Sequence, residues 1–178
     1  MSEPAWVPLG AAPAALASKD LRPIQLSVPH SSTLSGNAFW GVTAFTDADM
    51  GRWEFLKDVD GMVAGICAIP PSLAASPAPK IRLALTASIG GGVSRMEVGT
   101  RRIPDGTHFG TAVLLEPAVD VALNAVANVQ KEVVVPLTQE AMTPGGILVV
   151  RIAHRGSHAN DTATGNTLLF GAWLETNI

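Results

Sequence analysis

His154 and His158 stand four residues apart, and Asp161 follows three residues later. On a helix that spacing puts two imidazoles on one face, where with a carboxylate they could ligate a metal. The surrounding residues argue against a helix. His154 ends a strand-like run and His158 sits in the polar stretch GSHANDTATGN, with no HExxH glutamate nearby. A structural loop is the simpler reading of Arg155, Asp161 and Thr162. Asp161 and Thr162 would bond backbone within the loop, and Asp161 would pair with Arg155 across it.

Other chemistry is weaker still. His30 adjoins Ser31 and Ser32, but a serine nucleophile needs a positioned base and an oxyanion hole, and no GxSxG elbow is present. Glycoside cleavage needs two facing carboxylates, and Asp47, Asp49, Glu54, Asp58, Asp60 and Glu97 stand in no telling context. Asp47 and Asp49 lack EF-hand spacing and read as turn residues. The Gly90-Gly91-Gly92 triplet lacks the Lys-Ser/Thr pair of a phosphate loop and reads as a hairpin turn. Trp40, Trp53 and Trp173 bear on carbohydrate binding through aromatic stacking. In strands such residues more often fill a core, and the chain has no tyrosine. Cys67, the single cysteine, lies among apolar neighbours and reads as a buried inert thiol. These residues predict a non-enzymatic protein with no cofactor and no metal.

The elements that must carry these residues come from a chain of 178 residues, which favours one domain able to bury a core without disulfides. It is 47% hydrophobic and only 15% charged. Either much of its surface faces other protein copies, or its composition is biased towards alanine and glycine. The net charge is −3, and no basic run points to nucleic acid. No stretch reaches the roughly 18 to 20 apolar residues of a membrane span. The first residues lack the basic region and apolar core of a signal peptide, so the chain is expected to be made and used without export.

Residues 1–36 are punctuated by Pro4, Pro8, Pro13, Pro23 and Pro29 among alanines and serines. Proline removes backbone donors and breaks helices, so this segment is expected to be an extended arm. Its apolar residues Trp6, Leu9, Leu21, Ile24 and Leu26 are the candidates for contacting a partner or a neighbouring subunit. From residue 37 to 178 the pattern is one of short strands. Ala38 to Phe45, Met62 to Ile69, Lys80 to Ala87, Arg95 to Ile103, Gln130 to Leu137, Gly145 to Arg155 and Thr167 to Glu175 read as β, with TDADMGRW as a turn about Gly51. In Lys80 to Ala87 the residues Ile81, Leu83, Leu85 and Ala87 face one way, and Lys80, Arg82, Ala84 and Thr86 the other. The C-terminal third reads as a tight strand pair about a Pro-Gly turn, then a polar loop and a closing strand. The expected fold is an all-β antiparallel sandwich, a jelly roll of about eight strands.

The segment GGILVVRIAHRGSHANDTATGNTLLFGAWLE resembles a recurring C-terminal segment of tailed-phage virion proteins. Gly145, Arg151, Arg155, Asp161, Thr162, Gly171 and Glu175 carry the match, while Gly146 and Gly156 depart from it. The resemblance implies a virion structural protein of decoration, cement or head-spike type. It would be a homotrimer that binds the major capsid protein on the capsid exterior and stabilises the shell, made in the host cytoplasm and located in the virion. The alternative is a tail or head-fibre host-recognition module that binds surface glycan.

Overall fold

The computed structural model describes residues 19–27, 39–44, 49–73, 78–104, 106 and 112–177. In chain order its strands are β1 (Lys19–Pro23), β2 (Gln25–Ser27), β3 (Phe39–Ala44), β4 (Asp49–Phe55), β5 (Asp60–Ala68) and β6 (Lys80–Ala87). They continue as β7 (Val93–Ile103), β8 (Leu114–Leu115), β9 (Val119–Ala122), β10 (Lys131–Pro136), β11 (Ile147–Arg155) and β12 (Thr167–Asn177). The fold is an all-β antiparallel sandwich of two sheets. One sheet runs β10-β6-β12-β4-β3, with β1 also paired to β12. The other runs β2-β5-β11-β7-β8, with β9 also paired to β7. Among the described residues no helix is long and apolar enough to cross a membrane.

Period-two alternation builds the layers. Ile81, Leu83 and Leu85 of β6 are fully buried, as are Leu148, Val150 and Ile152 of β11. With Phe55, Val63, Leu169 and Leu174 they form the core between the sheets. Burying one such aliphatic side chain is worth about 1.5–3 kcal/mol, so the inward rows carry most of the folding free energy. Arg82, Arg95, Glu97 and Arg151 alternate with these rows and stay partly exposed.

Two expected turns are crossovers instead, and a third is partly strand. Gly90 to Gly92 does not close a hairpin, because β6 and β7 lie in different sheets. Gly91 and Gly92 have φ of 99° and 81°, a region that favours glycine. A Cβ on Gly92 would lie 2.1 Å from the Thr162 carbonyl oxygen. The Pro-Gly turn after β10 likewise joins opposite sheets, since β10 pairs with β6 while β11 pairs with β5 and β7. Part of TDADMGRW is strand, with Gly51 of β4 opposite Val42 of β3. Glycine's effect as a breaker is weaker than a complete ladder on its partner strand.

Residues 19–27 lie within the segment expected to be an arm. β1 pairs with β12, β2 pairs with β5, and the chain passes from one sheet to the other at Ile24. Ile24 is buried in the core and donates its backbone N–H to the Ala172 carbonyl at 2.9 Å. Leu26 is half-buried against the core, and Leu21 faces outward, 53% exposed. Trp6 and Leu9 lie outside the described residues, as do His30, Ser31, Ser32 and Asp47.

Candidate functional site: a tryptophan cleft on the outer face of one sheet

The outward positions of β10, β6, β12 and β1 form a lattice set by strand register. In one row Val134, Arg82, Trp173 and Pro23 stand side by side. The next row towards the chain crossovers holds Glu132, Ala84 and Gly171. The row on the other side holds Pro136, Lys80, Glu175 and Leu21. Ala84 and Gly171 are the small residues of this face, so the surface sinks between its neighbours. The result is a cleft of about 340 Å³ floored by Ala84. Leu21 and Pro23 wall one side, and Gln130 and Glu132 the other, with Arg82 and Trp173 between them.

Trp173 is half-buried and takes its position from Gly171. The register of β12 against β6 shifts between Leu169 and Gly171, a bulge that re-aims the following residues. The six-membered ring of the indole then lies over the bare Gly171 backbone. The indole therefore lies on the open sheet face, where the sequence reading favoured a core position. Trp53, by contrast, does pack against the core. The side chain of Trp40 lies outside the described residues.

Arg82 organises the polar side of the cleft. Its Nε donates to Glu175 and its Nη1 to Glu132, so one guanidinium ties β6 to both neighbouring strands. Lys19 Nζ adds a second cation 3.4 Å from Glu175. The hydrogen bond from Arg82 holds the Glu175 carboxyl below the usual carboxylate value, against the opposing effect of burial, and Lys19 adds to it. The same pairing raises the Arg82 pKa.

The loop between β11 and β12 is structural, with a pairing other than the expected one. Arg155 does not meet Asp161. Its guanidinium bonds Glu97 at 2.7 Å and Asp60 at 3.4 Å on the outer face. Asp161 instead accepts from the Arg95 backbone N–H at 2.7 Å and lies 2.8 Å from His154 Nε2. Strand alternation is the reason, since His154 points into the sandwich and its neighbour Arg155 points out. Thr162 pins the same loop to the start of β7, its N–H donating to the Val93 carbonyl and its hydroxyl accepting from the Val93 N–H. His158 is exposed and accepts from the Asn160 backbone N–H at 3.1 Å. Among the described residues no three His, Cys, Asp or Glu side chains gather as a metal ion would need.

Cys67 is buried as expected, and burial pushes its thiol pKa up to about 11, with Arg22 opposing weakly. It lies at a second cleft, of about 300 Å³, with Pro23, Gln25, Ile66, Ala68 and Ile147. That lining holds no aromatic and no charged side chain.

No family model and no curated protein matches the chain. Among solved structures it is similar to the family 11 carbohydrate-binding module from Clostridium thermocellum in complex with a mixed-linked β-1,3-1,4 tetrasaccharide. That match has 9% identity and a TM-score of 0.44, covering 86% of this chain and 95% of that one. It is also similar to TmCBM61 bound to β-1,4-galactotriose, at 8% identity and a TM-score of 0.39, over 88% and 89% of the two chains. A third likeness is to the exo-β-1,3-galactanase from Phanerochaete chrysosporium with galactose. Identity there is 12% and the TM-score 0.40, with 91% of this chain matched to 30% of that enzyme. These likenesses concern the fold.

The tailed-phage reading is corrected: no family model, of virion proteins or of any other kind, and no curated protein matches the chain or its C-terminal segment. Membership of the virion proteins is withdrawn. With it go capsid decoration or cementing as a homotrimer, the major capsid protein as partner, and the virion as location.

Five residues lining the cleft were not legible in the sequence as a site: Pro23, Arg82, Ala84, Gln130 and Glu132. Alternation placed Arg82 outward, but nothing local said that β10, β6, β12 and β1 lie side by side.

Proposed function

We propose that this protein is a non-catalytic glycan-binding module whose site is the cleft at Trp173. One observation carries the reading: a half-buried indole lies on an open sheet face beside hydrogen-bonding side chains, over a floor of small residues. A pyranose ring has an apolar C–H face and a rim of hydroxyls. An aromatic ring takes the first, and a few fixed polar groups take the second. Gln130 and Glu132 stand at the rim to receive hydroxyls, and Arg82 holds Glu132 in place. The open, shallow form of the cleft suits a chain laid across the sheet.

In this reading the residues proposed for the arm serve the site directly. Leu21 faces the ligand, while Ile24 in the core and Leu26 beside it anchor β1 and β2. The strand order supports a jelly roll. From β4 to β12 the chain alternates between sheets except where β7, β8 and β9 pair together, giving β4-β12-β6-β10 opposite β5-β11-β7-β9.

The test is binding of the full chain to immobilised and soluble polysaccharides, beside Trp173→Ala. Retention by at least one polysaccharide, weakened about tenfold or more in the variant (about 1.4 kcal/mol), is the expected result. Equal retention of both proteins would remove the cleft as the site.

A further inference from the structure

The charges of the cleft are already spent on one another, and that restricts what can enter. Arg82 is its cation, and two of the three guanidinium nitrogens are engaged by carboxylates, Nε by Glu175 and Nη1 by Glu132. Glu175 is almost solvent-free, at 4% exposure, and has Lys19 as its second cation. Glu132 is 53% exposed against 24% for Arg82, so of the two charges lining the cleft the one more open to a ligand is negative. Gln130, the other rim residue, brings an amide that both donates and accepts.

Resting on the glycan-binding reading, we propose that the cleft selects neutral saccharides and rejects uronates and sulfated sugars. Hydroxyls can donate to the Glu132 carboxylate and exchange hydrogen bonds with Gln130 without disturbing Arg82. A ligand carboxylate or sulfate would have to settle beside Glu132 or displace it from the guanidinium. Like charges in contact are costly, and breaking a charge-assisted pair adds to that cost. Selectivity of this kind comes from the repulsive group as much as from the attractive ones.

Affinity electrophoresis of the full chain tests this with two sets of polysaccharides at matched concentration. The neutral set is β-glucan, galactan, xylan and mannan; the anionic set is polygalacturonate, alginate and chondroitin sulfate. The expected result is retardation by at least one neutral polymer and none by the anionic set, with the neutral retardation lost in Trp173→Ala. Glu132→Gln removes the exposed negative charge and half of Arg82's pairing. It should narrow the neutral-to-anionic preference about tenfold or more. Retardation of the wild-type chain by an anionic polymer, abolished in Trp173→Ala, would overturn the selectivity while leaving the glycan site standing. Retardation by neither set would overturn the glycan-binding reading itself, and the selectivity with it.

Discussion

Trp173 rests on Gly171. A Cβ built on that glycine would lie 2.6 Å from Cη2 of the indole and 2.9 Å from Cζ2, inside any real contact distance. The ring occupies the space a side chain at 171 would fill, so the cleft's aromatic surface depends on the smallest residue of its floor. Gly171→Ala should therefore move the indole and spare the fold, because the group that must give is the end of a side chain. Near-ultraviolet circular dichroism should change while the far-ultraviolet spectrum stays, with a stability loss of about 1–3 kcal/mol. Polysaccharide retention should fall as in Trp173→Ala.

Asp161 and His154 form the most deeply buried acid–base pair among the described residues, with side-chain exposures of 1% and 0%. Asp161→Ala would leave the imidazole Nε2 and the Arg95 N–H without their acceptor. The expected loss is about 3–5 kcal/mol. At about 2–4 °C per kcal/mol for a chain of this size, calorimetry should record a fall of about 10 °C in Tm. Arg155→Ala removes partly exposed pairs on the outer face and should cost only about 1 kcal/mol. If the two variants melt alike, the loop is not held through His154.

Acid should weaken the fold through identifiable carboxylates. Glu175 is held below its ordinary value of 4.5 by the hydrogen bond from Arg82, over the opposing effect of burial, with help from Lys19. For Asp60 the largest influence is burial, which pushes its pKa up. The hydrogen bonds from Ser157 and the charge and bond of Arg155 outweigh it, so the net value lies below 3.8. A group with a depressed native pKa stabilises the fold fully above its unfolded pKa and loses that contribution as pH falls through the native one. Tm should therefore decline as pH drops below about 4.5, and Glu175→Gln should flatten that decline. An unchanged slope in that variant would show that Glu175 is not a source of the acid sensitivity.

Cys67 should behave as a structural thiol. With burial raising its pKa to about 11, little thiolate exists near neutrality. Iodoacetamide at pH 8 should label the native chain far more slowly than the chain in denaturant. Equal labelling rates would place the thiol at the surface.

Much of the architecture was legible because alternation is a local property. Lys80 to Ala87 declared its inward row of Ile81, Leu83 and Leu85 and its outward row with Arg82, and both rows stand so in the sandwich. The thiol of Cys67 was equally readable, since its apolar flanks are strand neighbours. Pairing was not legible in the same way. A strand's outward residues do not say which strand lies beside it. Gly90 to Gly92 and the Pro-Gly turn after β10 therefore looked like hairpins when they carry the chain between sheets. The expected Arg155–Asp161 pair failed for the complementary reason: a loop that returns beneath the sheet meets His154, on the face opposite to Arg155.

The sequence by itself determined an all-β chain, its inward and outward rows, and the polar loop that follows β11. Tertiary structure alone decided that β10, β6, β12 and β1 are neighbours, that Arg82 lies between Glu132 and Glu175, and that Trp173 stands in the open over Gly171. The physical reason is sequence distance. Alternation acts over two residues, whereas the cleft gathers side chains from Leu21 to Trp173, and only the closing of the sheet brings them together.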